Sequence, residues 1–367
     1  IWLSCTTPLK HSIHNNFAQD NENEVGSVNQ LTRINGVWNT TNTDGIGFIS
    51  ACKSIGISPN KSTLKLRGGG STARSIAAAW AAAGGKIVTI HGKRELDDFL
   101  QPHRLKGVKI GFVPTMGALH EGHASLLRRA RTESKRVVLS IFVNPTQFND
   151  SSDYSNYPST IKPDLELARS EGVDVVFLPD VDNIYGESAH AETSDFGMLT
   201  RVFEGEKRSG HFDGVVTVVR RLFNIVQPQV AFFGEKDLQQ LAVIRHLARM
   251  EFPSIRIMGC PLIRDADGLA LSSRNVRIPQ EDRTHALKLH EALRSVAEAA
   301  ENHKSIGKAV EANRKVLSEN EHIQLEYFDA VSGESFEVLK GSDVPNGSFA
   351  IVAAVVAGVR LIDNCRL

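Results

Sequence analysis

From Lys86 onward, short apolar runs alternate with stretches of helical spacing, and this alternation constrains the fold more than any other feature of the chain. The apolar runs are Ile87–Ile90, Lys109–Val113, Val137–Val143, Val173–Leu178, Val230–Phe233 and Ile255–Gly259. Helices are predicted to begin near Glu95, Ala124, Lys162, Val215 and Leu238. Short strands separated by helices predict an α/β fold with a parallel, doubly wound sheet covered on both faces. After about Leu262 the order changes. Residues 281–300 and 307–317 read as helices, and 324–331, 337–338 and 348–356 as strands, which predicts a smaller α+β domain. Residues 1–85 are rich in Asn, Thr, Ser and Gly and end in an alanine run around Trp80.

Composition narrows the function classes. The chain has 367 residues, with 41% hydrophobic and 23% charged, enough for several domains with sizeable cores. Its 42 basic and 42 acidic residues balance, so the electrostatic footprint of a nucleic-acid binder is missing. Cys5, Cys52, Cys260 and Cys365 lie far apart with no C-x-x-C pair. A disulfide framework is therefore not expected, and a reducing, cytoplasmic setting is the default. The apolar run Ile76–Ala83 is too short to span a membrane. The sequence begins with Ile1, not Met, so its true start and any organelle-targeting signal are not legible.

Four stretches carry chemistry. Pro114-Thr115-Met116-Gly117-Ala118-Leu119-His120-Glu121-Gly122-His123 follows one strand and precedes one helix. Such a turn binds phosphate, because glycine admits close backbone approach and the helix N-terminus favours negative charge. Its histidines are spaced i, i+3 with Gly122 between them, whereas zincin histidines are i, i+4 on a helix; ordinary surface histidines are the other alternative. Phe232 to Gln240 repeats the strand–glycine–helix order. Lys236 there offers a phosphate partner between Gly234, Glu235 and Asp237, with Gln240 about one turn further on; the bland alternative is a surface turn. Asp265 to Asn275 places Ser272, Ser273 and Arg274 after Leu271, donors suited to a triphosphate or, equally, a polar interdomain linker. Ser140 to Phe148 ends a buried strand in Asn144 and Gln147, whose amides suit a hydroxyl or carboxylate, or alternatively cap the strand end. No Ser-His-Asp triad or cysteine nucleophile accompanies them. Nucleotide-dependent adenylyl or phosphoryl transfer is the expected chemistry.

With these residues together, 86–367 resembles the pantothenate synthetase (pantoate–β-alanine ligase) family from end to end. Tyr157-Pro158, Arg208-Ser209-Gly210-His211-Phe212-Asp213-Gly214-Val215 and the closing Val359-Arg360-Leu361-Ile362-Asp363-Asn364 belong to the same likeness. The resemblance implies a Rossmann-like nucleotidylyltransferase domain over 86–262, a C-terminal lid domain over 263–367, and a homodimer. It implies an AMP-producing, amide-forming ligase acting on pantoate and β-alanine through pantoyl adenylate. It places Met116 to His123, Gly234 to Asp237, Ile263 and Leu271 to Arg274 at ATP, with His120, His123, Lys236 and Arg274 carrying the catalytic roles. It places Gln147 and Gln240 at pantoate, beside Asn144, Pro114 and Thr115. Mg²⁺ is expected on the β- and γ-phosphates, held mainly by ATP and water. Asp164 is a weak candidate metal ligand, and Pro163 stands where an acidic residue is frequent. The Ser272–Arg274 loop and the Arg208–Phe212 segment are candidate gates.

Residues 1–85 instead resemble a piece of the shikimate dehydrogenase family, a partial α/β extension. Thr7-Pro8-Leu9-Lys10, Ser27-Val28-Asn29, Asn42-Thr43-Asp44-Gly45-Ile46-Gly47-Phe48 and Gly68-Gly69-Gly70-Ser71-Thr72-Ala73-Arg74 carry the likeness. Lys10 and Asp44 would flank the oxidised hydroxyl, and the glycine turn would hold NADP. Half a nucleotide domain cannot bury a stable core, so no dehydrogenase activity is expected; a bifunctional protein is the alternative. Ile87–Ile90 is expected to serve as the next strand of this piece or as the first of the synthetase-like sheet, and cannot easily do both.

Overall fold

A computed structural model describes residues 88–148, 151–186 and 188–367. Before them it describes 2–4, 29–34, 37–41, 43–62, 64–65, 72, 75–76, 79–80 and 83. Three short strands, β1 (Trp2–Ser4), β2 (Gln30–Ile34) and β3 (Val37–Thr41), form a separate antiparallel sheet. Helix α1 (Asp44–Ser54) and β4 (Leu64–Lys65) follow. The synthetase-like part then alternates β5 (Val88–Ile90), α2 (Lys93–Leu105), β6 (Ile110–Thr115), α3 (Glu121–Glu133), β7 (Arg136–Ile141), α4 (Ile161–Ser170) and β8 (Val175–Phe177). It continues through α5 (His211–Val226), β9 (Val230–Gly234), α6 (Leu238–Glu251) and β10 (Arg256–Cys260).

These strands form one parallel sheet in the order β10-β9-β6-β7-β8-β5-β4. Period-two alternation sends side chains to opposite faces. Ile110, Phe112, Val138, Ala231 and Phe233 pack under α2, α5 and α6. Val113, Val137, Leu139, Val230 and Phe232 pack under α3 and α4. Helices cover both faces, so the strands are mostly apolar on both, as the sequence predicted, with Thr89 and Ser140 as buried exceptions. Strand order reverses between β6 and β9: the chain runs from β6 through β7 to β8, then returns to β9 on the other side. The carboxyl ends of β6 and β9 therefore border the crevice where such sheets bind ligands.

Beyond β10, helices α7 (Arg283–Glu301) and α8 (Ile306–Ser318) lie on an antiparallel sheet of β11 (Ile323–Ser332), β12 (Ser348–Val356) and β13 (Val359–Arg366). Phe328, Ala350, Val352 and Ala354 face the helices. Val331, Phe349 and Ile351 join the core beneath α5 and α6. β12 is thus buried on both faces, which explains its unbroken apolar run. β13 was not predicted as a strand, because Arg360, Asp363 and Asn364 break its apolar pattern. Asp363 is buried, and Arg264 neutralises it through two hydrogen bonds of 2.7 and 2.9 Å. The predicted strand at 337–338 shrinks to one bridge between Val331 and Val338.

One expectation is corrected. β5 pairs with β8 on one edge and with β4 of the N-terminal segment on the other. A strand has two edges, and the synthetase-like sheet uses only one of them. In the N-terminal segment Ile49, Cys52, Leu64 and Trp80 form a small core. Asp44 accepts hydrogen bonds from Asn29 Nδ2 (2.7 Å) and Thr72 Oγ1 (2.8 Å). Lys10, Gly68, Gly69 and Gly70 lie outside the described residues.

Candidate active site

A cavity of about 250 Å³ opens at the strand-order reversal. It collects Pro114, Thr115, Met116, His120, Gly122, His123, Asn144, Gln147, Gly234, Lys236, Asp237, Gln240, Ile263, Leu271, Ser272, Ser273 and Arg274. The four sequence stretches therefore meet in one place. Gly117, Ala118, Leu119, Glu121 and Glu235 do not line the cavity; they belong to the turns that shape it.

The turn after β6 is held in an unusual backbone path. Gly117 has φ 84° and Ala118 φ 49°, conformations that L side chains rarely adopt. A side chain at Gly117 would meet Ile141 Cγ2 at 2.9 Å. Asp164 fixes the path: its oxygens accept from Ala118 N–H (3.0 Å), Leu119 N–H (2.8 Å) and Thr160 Oγ1 (3.0 Å). These bonds give the weak metal candidate Asp164 a structural task. Asp164 is buried on α4, its carboxylate is engaged by the turn, and it does not line the cavity.

The two histidines cap α3 reciprocally. His120 Nδ1 accepts from Gly122 N–H (3.1 Å), and His123 Nδ1 accepts from His120 N–H (3.2 Å). Gly122 is required for this, since a methyl there would lie 2.9 Å from the His120 ring. An Nδ1 that accepts must be unprotonated, so a neutral ring carries its proton on Nε2 as a donor. Electrostatics keep both rings neutral. Burial, with Lys236 adding to it, lowers the His120 pKa to about 4. Burial, then His120 and Lys236, lowers that of His123 to about 3. The ring centroids are 4.1 Å apart. Two neutral N–H donors thus stand at a helix N-terminus beside a lysine, an arrangement suited to an anion.

The remaining wall comes from further along the chain. Ser273 Oγ donates to the Ala118 carbonyl (3.0 Å), joining the loop after β10 to the turn after β6. Asn364 on β13 donates to the carbonyls of Glu235 (2.8 Å) and Lys236 (3.1 Å), so the closing segment positions the lysine turn. Arg274 donates to Asp153 (2.8 Å), and its guanidinium lies 5.6 Å from the centre of the Tyr157 ring. Asp153 was not foreseen; nothing in its local sequence marks it as the partner of an arginine over a hundred positions away.

Asn144 lines the cavity and is also heavily engaged by its neighbours. Its Oδ1 accepts from Thr146 N–H and from the Thr146 and Tyr185 hydroxyls, while its Nδ2 donates to Gly214 O and Gln147 Oε1. It is the strand-end cap weighed as the alternative, and it orients Gln147. His211, named only within a longer likeness, sits under Gln147. Arg208 Nη1, which can only donate, lies 3.0 Å from His211 Nε2, so His211 Nδ1–H donates to the Gln147 carbonyl at 3.0 Å. Burial and Arg208 lower its pKa to about 4. Phe142, Val215 and Leu222 give the cavity an apolar floor.

Arg360 on β13 reaches Glu204 with hydrogen bonds of 2.9 and 2.6 Å, and Tyr327 adds a third at 2.8 Å. Burial would raise the Glu204 pKa, but Arg360 and Arg208 outweigh it and hold it at about 2. This network fastens the C-terminal sheet beside Arg208.

A model of the pantoate-β-alanine ligase family matches residues 88–366. The chain belongs to that family, and it is an enzyme of that kind. A pantothenate synthetase from Corynebacterium efficiens is 45% identical over 284 residues, covering 75% of this chain and 97% of the relative. One from Aquifex aeolicus is 42% identical over 275 residues, covering 75% and 96%. The solved pantothenate synthetase of Thermus thermophilus superposes with a TM-score of 0.69 at 41% identity, covering 76% of this chain and 98% of that one. A pantoate-β-alanine ligase from Francisella tularensis, complexed with β,γ ATP and β-alanine, gives 0.64 at 33% identity, covering 76% and 97%. Among the described residues no helix is long and apolar enough to cross a membrane.

Proposed function

We propose that this chain joins pantoate to β-alanine in two steps within the cavity at the strand-order reversal. In the first, the pantoate carboxylate attacks the α-phosphorus of ATP; the bond to the bridging oxygen breaks and pyrophosphate leaves. In the second, the β-alanine amine attacks the acyl carbon of pantoyl adenylate and AMP leaves. The observation that carries this reading is the pair of capped, neutral imidazoles beside Lys236. Adenylation concentrates charge on phosphate oxygens, and preorganised donors in a water-poor cavity are what lowers its barrier. His120 and His123 serve as Nε2–H donors to those oxygens, since each Nδ1 already accepts from a backbone N–H.

Lys236 neutralises phosphate charge. Arg274 joins it when a phosphate replaces Asp153 as its partner, with Ser272 and Ser273 adding donors. The backbone at Ile263 contacts adenine. Gln147 and Gln240 hold the polar groups of pantoate, while Phe142, Val215 and Leu222 receive its methyl groups. The adenylate is prone to hydrolysis, so water must be kept out; the Ser273–Ala118 hydrogen bond ties the loop after β10 to the turn after β6 along the cavity wall. Asp237 is the one carboxylate lining this cavity among the described residues. That fits a Mg²⁺ ion carried on the β,γ-phosphates and completed by water, and not a resident metal cage. The ion, when bound, offsets phosphate charge.

Pantoate-dependent exchange of pyrophosphate into ATP tests the first step without the second. His123→Ala is expected to slow exchange by about 10²–10³, the range for loss of one charge-stabilising donor. Exchange at the parental rate in that variant would remove His123 from the mechanism.

A further inference from the structure

Outside the residues that line the cavity, Asp282 immediately precedes α7. A carboxylate there ordinarily caps the helix by accepting from its first amides. Here the side chain makes no capping bond. The neighbouring Arg283 does not take its charge either, because Arg283 is turned to Asp265 (2.6 Å) and Asp267 (2.5 Å). Asp282 instead faces two imidazoles. His285 lies in the first turn of α7, and His322 lies at the start of β11. Their rings stack with centroids 4.0 Å apart and planes 12° from parallel. His285 Nδ1 is buried and has no hydrogen-bond partner. His322 Nδ1 is 3.8 Å from Asp282 Oδ1. One ligand atom from each residue lies within 4.8 Å of the others.

His285 Nδ1, buried without a partner beside Asp282 and His322, is costly to leave so unless something joins it. We propose that Asp282, His285 and His322 bind one divalent transition cation of the borderline class, Zn²⁺ or Co²⁺. Two imidazole nitrogens and one carboxylate oxygen suit that class; Mg²⁺ and Ca²⁺ prefer all-oxygen shells. Metal–ligand distances of about 2.0–2.2 Å bring neighbouring ligand atoms to roughly 3.3 Å of one another, so the two rings leave their stacked arrangement and tilt toward a common point when the cation binds. His322 is half exposed, so it can turn, and it leaves the remaining coordination positions to water. The bound cation would pin the start of α7 to the strand beside it.

The whole chain is titrated with Co²⁺ and followed by visible absorption, then challenged with Zn²⁺. The expected result is one saturable equivalent with d–d bands, displaced by Zn²⁺ and free of a thiolate charge-transfer band. His285→Ala and His322→Gln are each expected to weaken binding at least about tenfold, since even partners one shell beyond the ligands cost about 10–100-fold. Both variants are expected to keep parental pantothenate formation. His322→Gln is at an exposed position, and it keeps the test decisive if His285→Ala does not fold. No saturable binding, a thiolate band, or binding unchanged in His322→Gln would overturn the proposal.

Discussion

Gly122→Ala separates the chemistry of the histidine pair from its contribution to folding. The added methyl would lie 2.9 Å from His120 Cε1 and 3.0 Å from Nδ1. Favourable carbon contacts begin at about 3.5 Å, so the overlap is roughly half an ångström. The His120 ring cannot absorb this in place, because Gly122 N–H holds its Nδ1 at 3.1 Å and the His123 ring stands 4.1 Å away, centroid to centroid. It must turn, losing both the cap and the aim of Nε2–H. The lost cap costs about 1 kcal/mol. Alanine in place of helical glycine returns up to about 1 kcal/mol, and position 122 has no positive φ to strain it. The two nearly cancel, so the urea midpoint should hardly move. The misplaced donor, by contrast, costs about 2.7–4 kcal/mol of transition-state stabilisation. Pantoate-dependent ATP–pyrophosphate exchange should therefore fall about 10²–10³-fold in a protein of normal stability. Parental exchange in Gly122→Ala would refute the role given to the His120 ring, and a collapse in stability would refute the energetic argument.

Further outcomes follow from the same geometry. The His120, His123 and His211 pKa values lie below the usual 6.5 in the folded chain, at about 4, 3 and 4. The unfolded chain therefore binds more protons below pH 6.5, and stability is lost as pH falls from 6.5 toward 4. Urea midpoints measured down this range should fall less steeply in His120→Asn, which keeps a capping side chain but no titrating ring; an unchanged slope would count against a neutral buried His120. Removal of residues 1–85 leaves every cavity-lining residue in place, so pantothenate formation should persist within a few-fold. Shikimate-dependent NADP reduction by the full chain, or loss of pantothenate formation in the shortened one, would contradict this division.

The sequence alone determined the parallel sheet, the turns that follow its strands, and most of the residues that line the cavity. Those features are local: period-two and helical spacing, glycine before a helix, and charged residues adjacent in the chain. Its i, i+3 spacing set His120 and His123 apart from a zincin pair, but their reciprocal capping of α3 came only from the structure. Only the tertiary structure decided which polar residues are engaged elsewhere. Asp164 and Asn144 look like ligands in sequence, yet the packing of α4 against the Ala118 turn, and of α5 against Gln147, turns them into anchors. His211 lines the cavity, while Asp153 holds Arg274 and Asn364 holds the Lys236 turn from distant parts of the chain, and β13 survives its charges because Arg264 and Glu204 lie opposite them. A group's partners set its solvation and charge, and partners far apart in sequence are fixed by the fold. For the same reason the Asp282–His285–His322 cluster is invisible to any motif: its third member joins the other two only where β11 begins beside α7.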